Sequence, residues 1–196
     1  METVKINNID YKIENRDYWL KSGDNVSALH INRGLLTVLS DLPRTRYNRY
    51  LMEIITRVIF YETFWPEQLD LDTRQFGRTL LSFIKSNNVR DWLLKEDQTP
   101  NRVVINDLIY DVIISDKGDE FLDATECLGQ IKQGQLKIFI LSDIPEQRKK
   151  AVLMHEIVHG LLHEAGFADH DDDKIVRPLS NMLHNLFLNN KFDFLR

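Results

Sequence analysis

The chain contains an internal repeat, and this repeat limits its fold more than any other feature of the sequence. At an offset of 102 residues, positions 40–94 match positions 142–196 with 14 identities in 55 aligned pairs. Unrelated sequences of average composition give roughly 3 or 4 identities over that length. We therefore predict a tandem duplication with two domains, residues 1–100 and residues 101–196.

The offset between the two copies changes along the chain. Residues 4–11 resemble residues 103–110 at an offset of 99, and residues 31–34 resemble residues 131–134 at an offset of 100. From Ser40 onward the offset is 102. The insertions thus fall where turns are expected, as in two copies of one fold.

Each copy has the pattern of strands followed by helices. In the second copy, the alternating pattern of 103–115 and the apolar run of 135–141 predict strands. Helical patterns follow at about 144–165 and 174–190. The sequence predicts an α+β fold of two tandem repeats, each a small β-sheet with a central helix and a following helix.

The first helical pattern of the second copy carries the motif His155-Glu156-Ile157-Val158-His159. Residues four apart lie on one face of a helix, so both imidazoles project the same way. Two nitrogens can then reach one Zn²⁺ at roughly 2.0–2.1 Å, with Glu156 beside them to activate a metal-bound water. The alternative is two partly exposed histidines on an ordinary amphipathic helix.

Start and stop signals indicate that this motif lies inside a helix. Asp143 is a candidate N-cap, Pro145 a first-turn residue and Glu146 a capping-box partner. Gly166 is a candidate C′ glycine after the last apolar position.

In the first copy the motif residues are replaced. The two histidines align with Glu53 and Arg57, and the glutamate aligns with Ile54. Glu53 and Arg57 have the spacing of a favourable helical ion pair, worth a few tenths of a kcal/mol. We predict that this pair bridges the space a metal fills in the second copy, which makes the first copy a scaffold or recognition domain without catalytic groups.

A catalytic zinc usually has three protein ligands, so a third ligand is expected. His163 lies about 12 Å along the helix axis from His155, too far to share an ion with it. The acidic segment that enters the last helix is the natural source, with Asp173 as first choice, then Asp172, then His170. A carboxylate at a helix start also suits the positive end of the helix dipole.

A residue that stabilises the oxyanion is also expected. Tyr110, His163 and His184 are candidates, and the sequence does not favour one of them. The substrate and the oligomeric state are left open as well.

Composition excludes several classes of protein. The net charge is −5 and no basic stripe is present, which argues against a nucleic-acid partner. No apolar run approaches the roughly 20 residues that span a bilayer, and the first residues do not resemble a signal peptide. Cys127 is the only cysteine, so no internal disulfide forms, which fits the cytoplasm.

The motif helix, the strand before it and the acidic helix start after it resemble a known family. They are similar to the minimal zinc metallopeptidases of the ImmA/IrrE-like group, including short versions from bacteriophages and mobile elements. The resemblance covers about residues 101–190 and implies a zincin-like fold for both repeats. It also implies a carboxylate ligand three residues before Val176, at Asp173. Family members cleave specific protein partners.

The sequence thus predicts a cytoplasmic hydrolase, a zinc metalloprotease that cleaves a specific protein partner. His155, His159 and Asp173 would bind Zn²⁺, and Glu156 would act as the general base. The main alternative is a phage or mobile-element binding module, regulatory or host-inhibiting, with structural or vestigial zinc. Hydrolysis of a non-peptide amide is a third possibility at the same site.

Overall fold

The computed structural model describes residues 2–17, 27–64, 73–96, 98–116 and 127–195. The first copy contains β1 (Glu2–Ile6), β2 (Ile9–Arg16), β3 (Ser27–His30), β4 (Leu35–Leu39), α1 (Arg44–Thr63), α2 (Thr73–Ser86) and α3 (Val89–Leu94). The second contains β5 (Arg102–Ile105), β6 (Leu108–Ser115), β7 (Gly129–Lys132), β8 (Lys137–Leu141), α4 (Glu146–Glu164) and α5 (Asp173–Asn189). Within these ranges, no helix is both long enough and apolar enough to cross a membrane.

The two sheets have the same topology. The strand order is β1-β2-β4-β3 in the first sheet and β5-β6-β8-β7 in the second. In each sheet the first two strands form an antiparallel hairpin, the second and fourth run parallel, and the third is an antiparallel edge strand. The described part of the chain is therefore an α+β fold with a two-repeat layout, as the sequence predicts.

The hairpin turns of the two sheets also match. Asn7 and Asn8 have φ angles of 48° and 62°, and Asn106 and Asp107 have φ angles of 48° and 65°. Two-residue turns with both residues in the left-handed region match the twist of the flanking strands and favour Asn and Asp. The pattern of 103–115 is thus two strands broken at this turn.

The structure corrects the alignment between the sheets and the following helices. A short 3₁₀ turn ends at Gly34 in the first copy and at Leu136 in the second, with φ angles of 54° and 53°. These residues correspond at an offset of 102, so the predicted match of Gly34 with Gly134 is wrong. The sequence alignment matched the two glycines by identity, whereas the structural equivalent of Gly34 is Leu136, which adopts a left-handed conformation that disfavours side chains.

The two copies exchange equivalent contacts. The Asn87 side chain binds the backbone of Val104, donating to its carbonyl at 2.7 Å and accepting from its N–H at 2.8 Å. Asn190 binds the backbone of Lys5 in the same way, with both distances 2.8 Å. Each copy thus holds a strand of the other, and Asn87 corresponds to Asn190 rather than to the predicted Asn189.

A second exchange joins the starts of the long helices to the other copy. The buried Asn48 amide donates to the Leu195 carbonyl at 2.8 Å. At the equivalent position, the fully buried Lys150 ammonium donates to the carbonyls of Leu93 and Lys95. The two repeats are therefore related by an approximate two-fold arrangement of contacts.

One hydrophobic core runs through both copies. The ring centroids of Phe60 and Phe167 are 6.3 Å apart, and those of Phe83 and Phe187 are 6.0 Å apart. Fully buried members of the same cluster come from both sheets and both sets of helices: Val4, Leu36, Met52, Val103, Ile138, Leu153 and Leu183. The division into two domains near residue 100 stays a prediction.

Candidate metal centre

Helix α4 carries the HExxH motif at its middle, but it begins differently from the prediction. Pro145 precedes the first turn, and no side chain caps it, so the prediction of Asp143 as N-cap is wrong. Glu146 accepts a hydrogen bond from the Thr99 hydroxyl instead of closing a capping box. The start of α4 is thus fixed by the segment that joins the two copies.

The end of α4 matches the prediction. Gly166 has a φ of 81° and donates its N–H to the His163 carbonyl at 2.9 Å. The Phe167 N–H donates to the Leu162 carbonyl at 3.0 Å. This pair of bonds is a Schellman motif, which turns the chain back toward α4 before α5 begins.

Three of the predicted site residues converge. The Nε2 atom of His155 lies 3.1 Å from Nε2 of His159 and 3.2 Å from Oδ1 of Asp173. The remaining distance, from His159 Nε2 to Asp173 Oδ1, is 3.8 Å. In a tetrahedral zinc site with bonds of 2.0–2.1 Å, neighbouring ligand atoms are roughly 3.3 Å apart. Two imidazoles and one carboxylate are also a donor set of catalytic zinc, so the residues fit the metal.

The backbone fixes the orientation of His159. Its Nδ1 atom lies 2.7 Å from the carbonyl oxygen of His170. A carbonyl can only accept a hydrogen bond, so Nδ1 carries the hydrogen and Nε2 keeps the lone pair that faces the site. Burial lowers the pKa of His155, and the neighbouring His159 adds to this effect. Both imidazoles are therefore suited to bind a cation.

The other two candidates for the third ligand have different contacts. Asp172 caps α5, because its Oδ1 accepts the Lys174 N–H at 2.9 Å. The Nδ1 atom of the His170 ring lies within hydrogen-bond distance of the Phe167 carbonyl oxygen, at 2.9 Å. Of the three, only Asp173 brings its side chain to both motif histidines, whereas His170 contacts His159 through its backbone carbonyl.

Glu156 is buried beside the ligand atoms, with 6% of its surface exposed. Burial raises the pKa of its carboxyl to about 8, and the nearby Asp173 charge adds to this rise. A hydrogen bond from the Ile131 backbone acts in the opposite direction and lowers the pKa. A Cβ atom on Gly129 would lie 3.1 Å from Glu156 Oε1 and 2.4 Å from Val152 Cγ1. The absent side chain lets β7 approach the glutamate. Sequence reasoning missed Gly129, whose only signal is a glycine at a strand start.

Two of the three oxyanion candidates contact Glu164, and one of these contacts has an equivalent in the first copy. The Tyr110 hydroxyl donates to Glu164 at 3.4 Å, and in the first copy Tyr11 donates to Glu62 at 2.8 Å. His163 Nδ1 also faces Glu164, at 3.3 Å. Because the copy without the motif has the same tyrosine–glutamate bond, this contact is structural.

The third candidate, His184, lies near Lys150. Burial lowers its pKa, and the positive charge of Lys150 lowers it further. Lys150 is fully buried at the junction between the copies. His184 therefore belongs with that junction rather than with the three ligand atoms.

In the first copy an ion pair between helices takes the place of the site. The Glu53 carboxylate lies 3.3 Å from Arg78 Nε and 3.8 Å from Arg49 Nε. The predicted pair of Glu53 with Arg57 is wrong, because Arg57 points outward while Arg78 reaches across from α2. A Cβ atom on Gly77 would lie 3.1 Å from the Glu53 Cα, so α2 packs tightly at this point.

A groove of about 470 Å³ leads to the convergent side chains. It is lined from α4 by Arg148, Ala151, Val152, His155 and Glu156, from α5 by Asp173, Arg177, Ser180 and Asn181, and from the segment entering β7 by Cys127, Leu128 and Gly129. Sequence reasoning missed the two arginines, which carry no motif of their own.

In comparisons with protein-family models, curated proteins and solved structures, nothing matches this chain.

Proposed function

We propose that the protein is a zinc-dependent metallopeptidase of the zincin-like type, related to the ImmA/IrrE-like group. One observation carries this proposal. The Nε2 atoms of His155 and His159 and the Oδ1 atom of Asp173 lie within 3.8 Å of one another, beside the buried Glu156. This is the donor set and the spacing of a three-ligand site with an open fourth position.

The chemistry assigned to each group follows from its surroundings. A bound Zn²⁺ would act as a Lewis acid, lowering the pKa of water at its open position toward 7 and polarising a carbonyl. Glu156 accepts the proton of the attacking water and passes it to the leaving amine. Burial raises the pKa of the Glu156 carboxyl above its ordinary value, which makes its carboxylate a stronger base than that of an exposed glutamate.

A peptide substrate is supported by the position of β7. Among the described strands, β7 lies at the edge of its sheet and pairs only with β8. An extended peptide binds such an edge through main-chain hydrogen bonds. We propose that a specific protein partner in the cytoplasm is cleaved there, as in phage and mobile-element members of the group.

The competing proposal is a protein-binding module with structural or vestigial zinc. It is favoured by the first copy, which has the fold but an ion pair of Glu53 with Arg78 instead of the ligands. A protein-binding surface that is present in both copies needs no catalytic groups to bind a partner.

Zinc content and the Glu156→Gln variant test the proposal together. We expect about one zinc per chain in the wild type and none in His159→Ala or Asp173→Ala. Cleavage is read by labelling new N termini in a proteome-derived peptide mixture and in folded cell extract. Glu156→Gln should keep its zinc and lose all cleavage.

The outcomes separate the two proposals. Zinc binding without any cleavage in the wild type would favour the binding module. Failure of the wild type to bind zinc, even when the metal is supplied, would sink the peptidase proposal.

A further inference from the structure

Two arginines stand on opposite walls of the groove. Arg148 lies on α4, seven residues before His155, or about 10 Å along the helix axis. Arg177 lies on α5, one turn after Asp173, and its Nη2 is 3.4 Å from Asp173 Oδ2. Both side chains are exposed, and so both can reach a molecule in the groove.

Arg148 and Arg177 are the two cationic side chains of the described groove lining, in a chain whose net charge is −5. Its described lining has two carboxyl groups. Asp173 turns one oxygen to the histidines and the other to Arg177, and Glu156 is buried. The Asp173 carboxylate, although its side chain is 58% exposed, is thus engaged by the histidines and Arg177. Arg148 forms no ion pair with either carboxyl of the described lining, so its guanidinium is open to a carboxylate of a bound molecule.

We propose that this groove binds an acidic peptide, with a carboxylate of the substrate held by Arg148 and Arg177 beside the scissile bond. The inference rests on the proposed peptidase function and names its substrate class. The planar guanidinium groups bind a carboxylate with two parallel hydrogen bonds. Arg177 keeps free N–H groups for this purpose, since only Nη2 contacts Asp173.

The remaining lining fits a peptide backbone and small side chains. Asn181 offers an exposed amide on the same wall as Arg177, whereas the buried Ser180 hydroxyl donates to the Arg177 carbonyl. Leu128, Ala151 and Val152 supply an apolar floor. Specificity thus comes from the two arginines, because the other walls do not select a charge.

Peptide retention on zinc-loaded Glu156→Gln protein tests the proposal without requiring turnover. A mixture of C-terminally amidated peptides is applied, and the bound peptides are identified by mass spectrometry. We expect peptides with Asp or Glu to be enriched about tenfold over neutral ones of similar hydrophobicity. Adding Arg148→Ala should reduce that enrichment to below about threefold while the zinc content stays unchanged.

Arg46→Ala in the same background is the matched control. Arg46 occupies the equivalent position at the start of α1. Its backbone N–H donates to the Pro43 carbonyl, just as the backbone N–H of Arg148 donates to the Pro145 carbonyl. It should leave the enrichment intact. A second peptide set with free C termini reports whether a terminal carboxylate binds as well as an acidic side chain.

Three results would overturn the proposal: no enrichment of acidic peptides, equal enrichment in Arg148→Ala, or equal loss in Arg46→Ala. Acid-selective binding that is lost in Arg148→Ala, combined with a wild type that cleaves nothing, would contradict the peptidase function alone. Cleavage by the wild type without acidic residues near the new termini would contradict the substrate class alone.

Discussion

The Nδ1 atom of His159 lies 2.7 Å from the backbone carbonyl oxygen of His170. Because the acceptor is backbone, the contact survives the loss of the His170 side chain. Zinc affinity should therefore change little in His170→Ala, whereas Asp173→Ala should weaken it by more than about 100-fold. Competition with a chromophoric chelator measures both.

Asp172→Ala is the neighbouring control for that experiment. It should keep its zinc and lose about 1 kcal/mol of stability, because Asp172 caps α5. Loss of zinc in His170→Ala or Asp172→Ala as complete as in Asp173→Ala would contradict the ligand assignment.

Gly129→Ala should damage the site through Glu156. The new methyl group would lie 2.4 Å from Val152 Cγ1, and overpacking of this kind costs about 1–3 kcal/mol. Gly134→Ala is the control, because a Cβ atom there meets nothing within 4 Å. Thermal unfolding and peptide cleavage should both separate the two variants. Equal stability of the two would show that β7 does not press on Glu156.

The reciprocal asparagines should each stabilise the whole chain. Asn190→Ala leaves the backbone N–H and carbonyl of Lys5 without their partner, at a cost of about 1–3 kcal/mol. Asn87→Ala should cost a similar amount through Val104. Asn189→Ala, an exposed neighbour, should stay within about 0.5 kcal/mol of the wild type in urea unfolding. A cost for Asn189→Ala equal to that for Asn190→Ala would contradict the corrected register.

The ion pair that replaces the site in the first copy predicts a contrast between two arginines. Arg78→Ala leaves the nearly buried Glu53 carboxylate with a weaker partner, and we expect a loss of about 1–2 kcal/mol because Arg78 is half exposed. Arg57→Ala should have an effect below about 0.5 kcal/mol. Chemical unfolding curves measure both, and the reverse order would restore the pair that the sequence suggests.

Tyr110 should make stability depend on alkaline pH. Burial, the Glu164 charge and the hydrogen bond to Glu164 raise the pKa of Tyr110 to about 12, above the ordinary value near 10. The folded state therefore holds this proton more tightly, so its stabilisation is full below pH 10 and is lost as the pH rises from 10 toward 12. The free energy of unfolding should fall less steeply over that range in Tyr110→Phe, whose zinc content should be unchanged. Zinc loss in this variant would give Tyr110 a role at the site.

The repeat was predictable from identities at a nearly constant offset, and the convergence of His155 with His159 was predictable from spacing along one helix. HExxH on a helix needs only the four-residue period. The acidic start of the next helix left Asp173, Asp172 and His170 as candidates, and the family resemblance implied Asp173. The contacts of Glu53 were not predictable, because Arg78 reaches it from another helix. Spacing along the sequence identifies candidate ion-pair partners of Glu53 only on its own helix, such as Arg57.

The role of Gly129 in the groove and the register of the repeat at Leu136 were not predicted from the sequence, for the same physical reason. Gly129 matters because of what a Cβ atom would meet, and nothing in a linear pattern reports that distance. Leu136 adopts a left-handed conformation where a glycine is expected, so the alignment followed Gly134 instead. Neither property can be read from a local pattern in the sequence.

The exchange of strands through Asn87 and Asn190 has a consequence for the origin of the chain. Two identical copies that hold each other in this way have the symmetry of an isologous homodimer, in which one patch pairs with itself. A single-copy ancestor with these contacts would assemble as such a dimer, with two equivalent sites. Fusion of two such copies would make the interface intramolecular and would free one copy to do without the histidines. Selection can then keep the first repeat for the fold and the second for the chemistry.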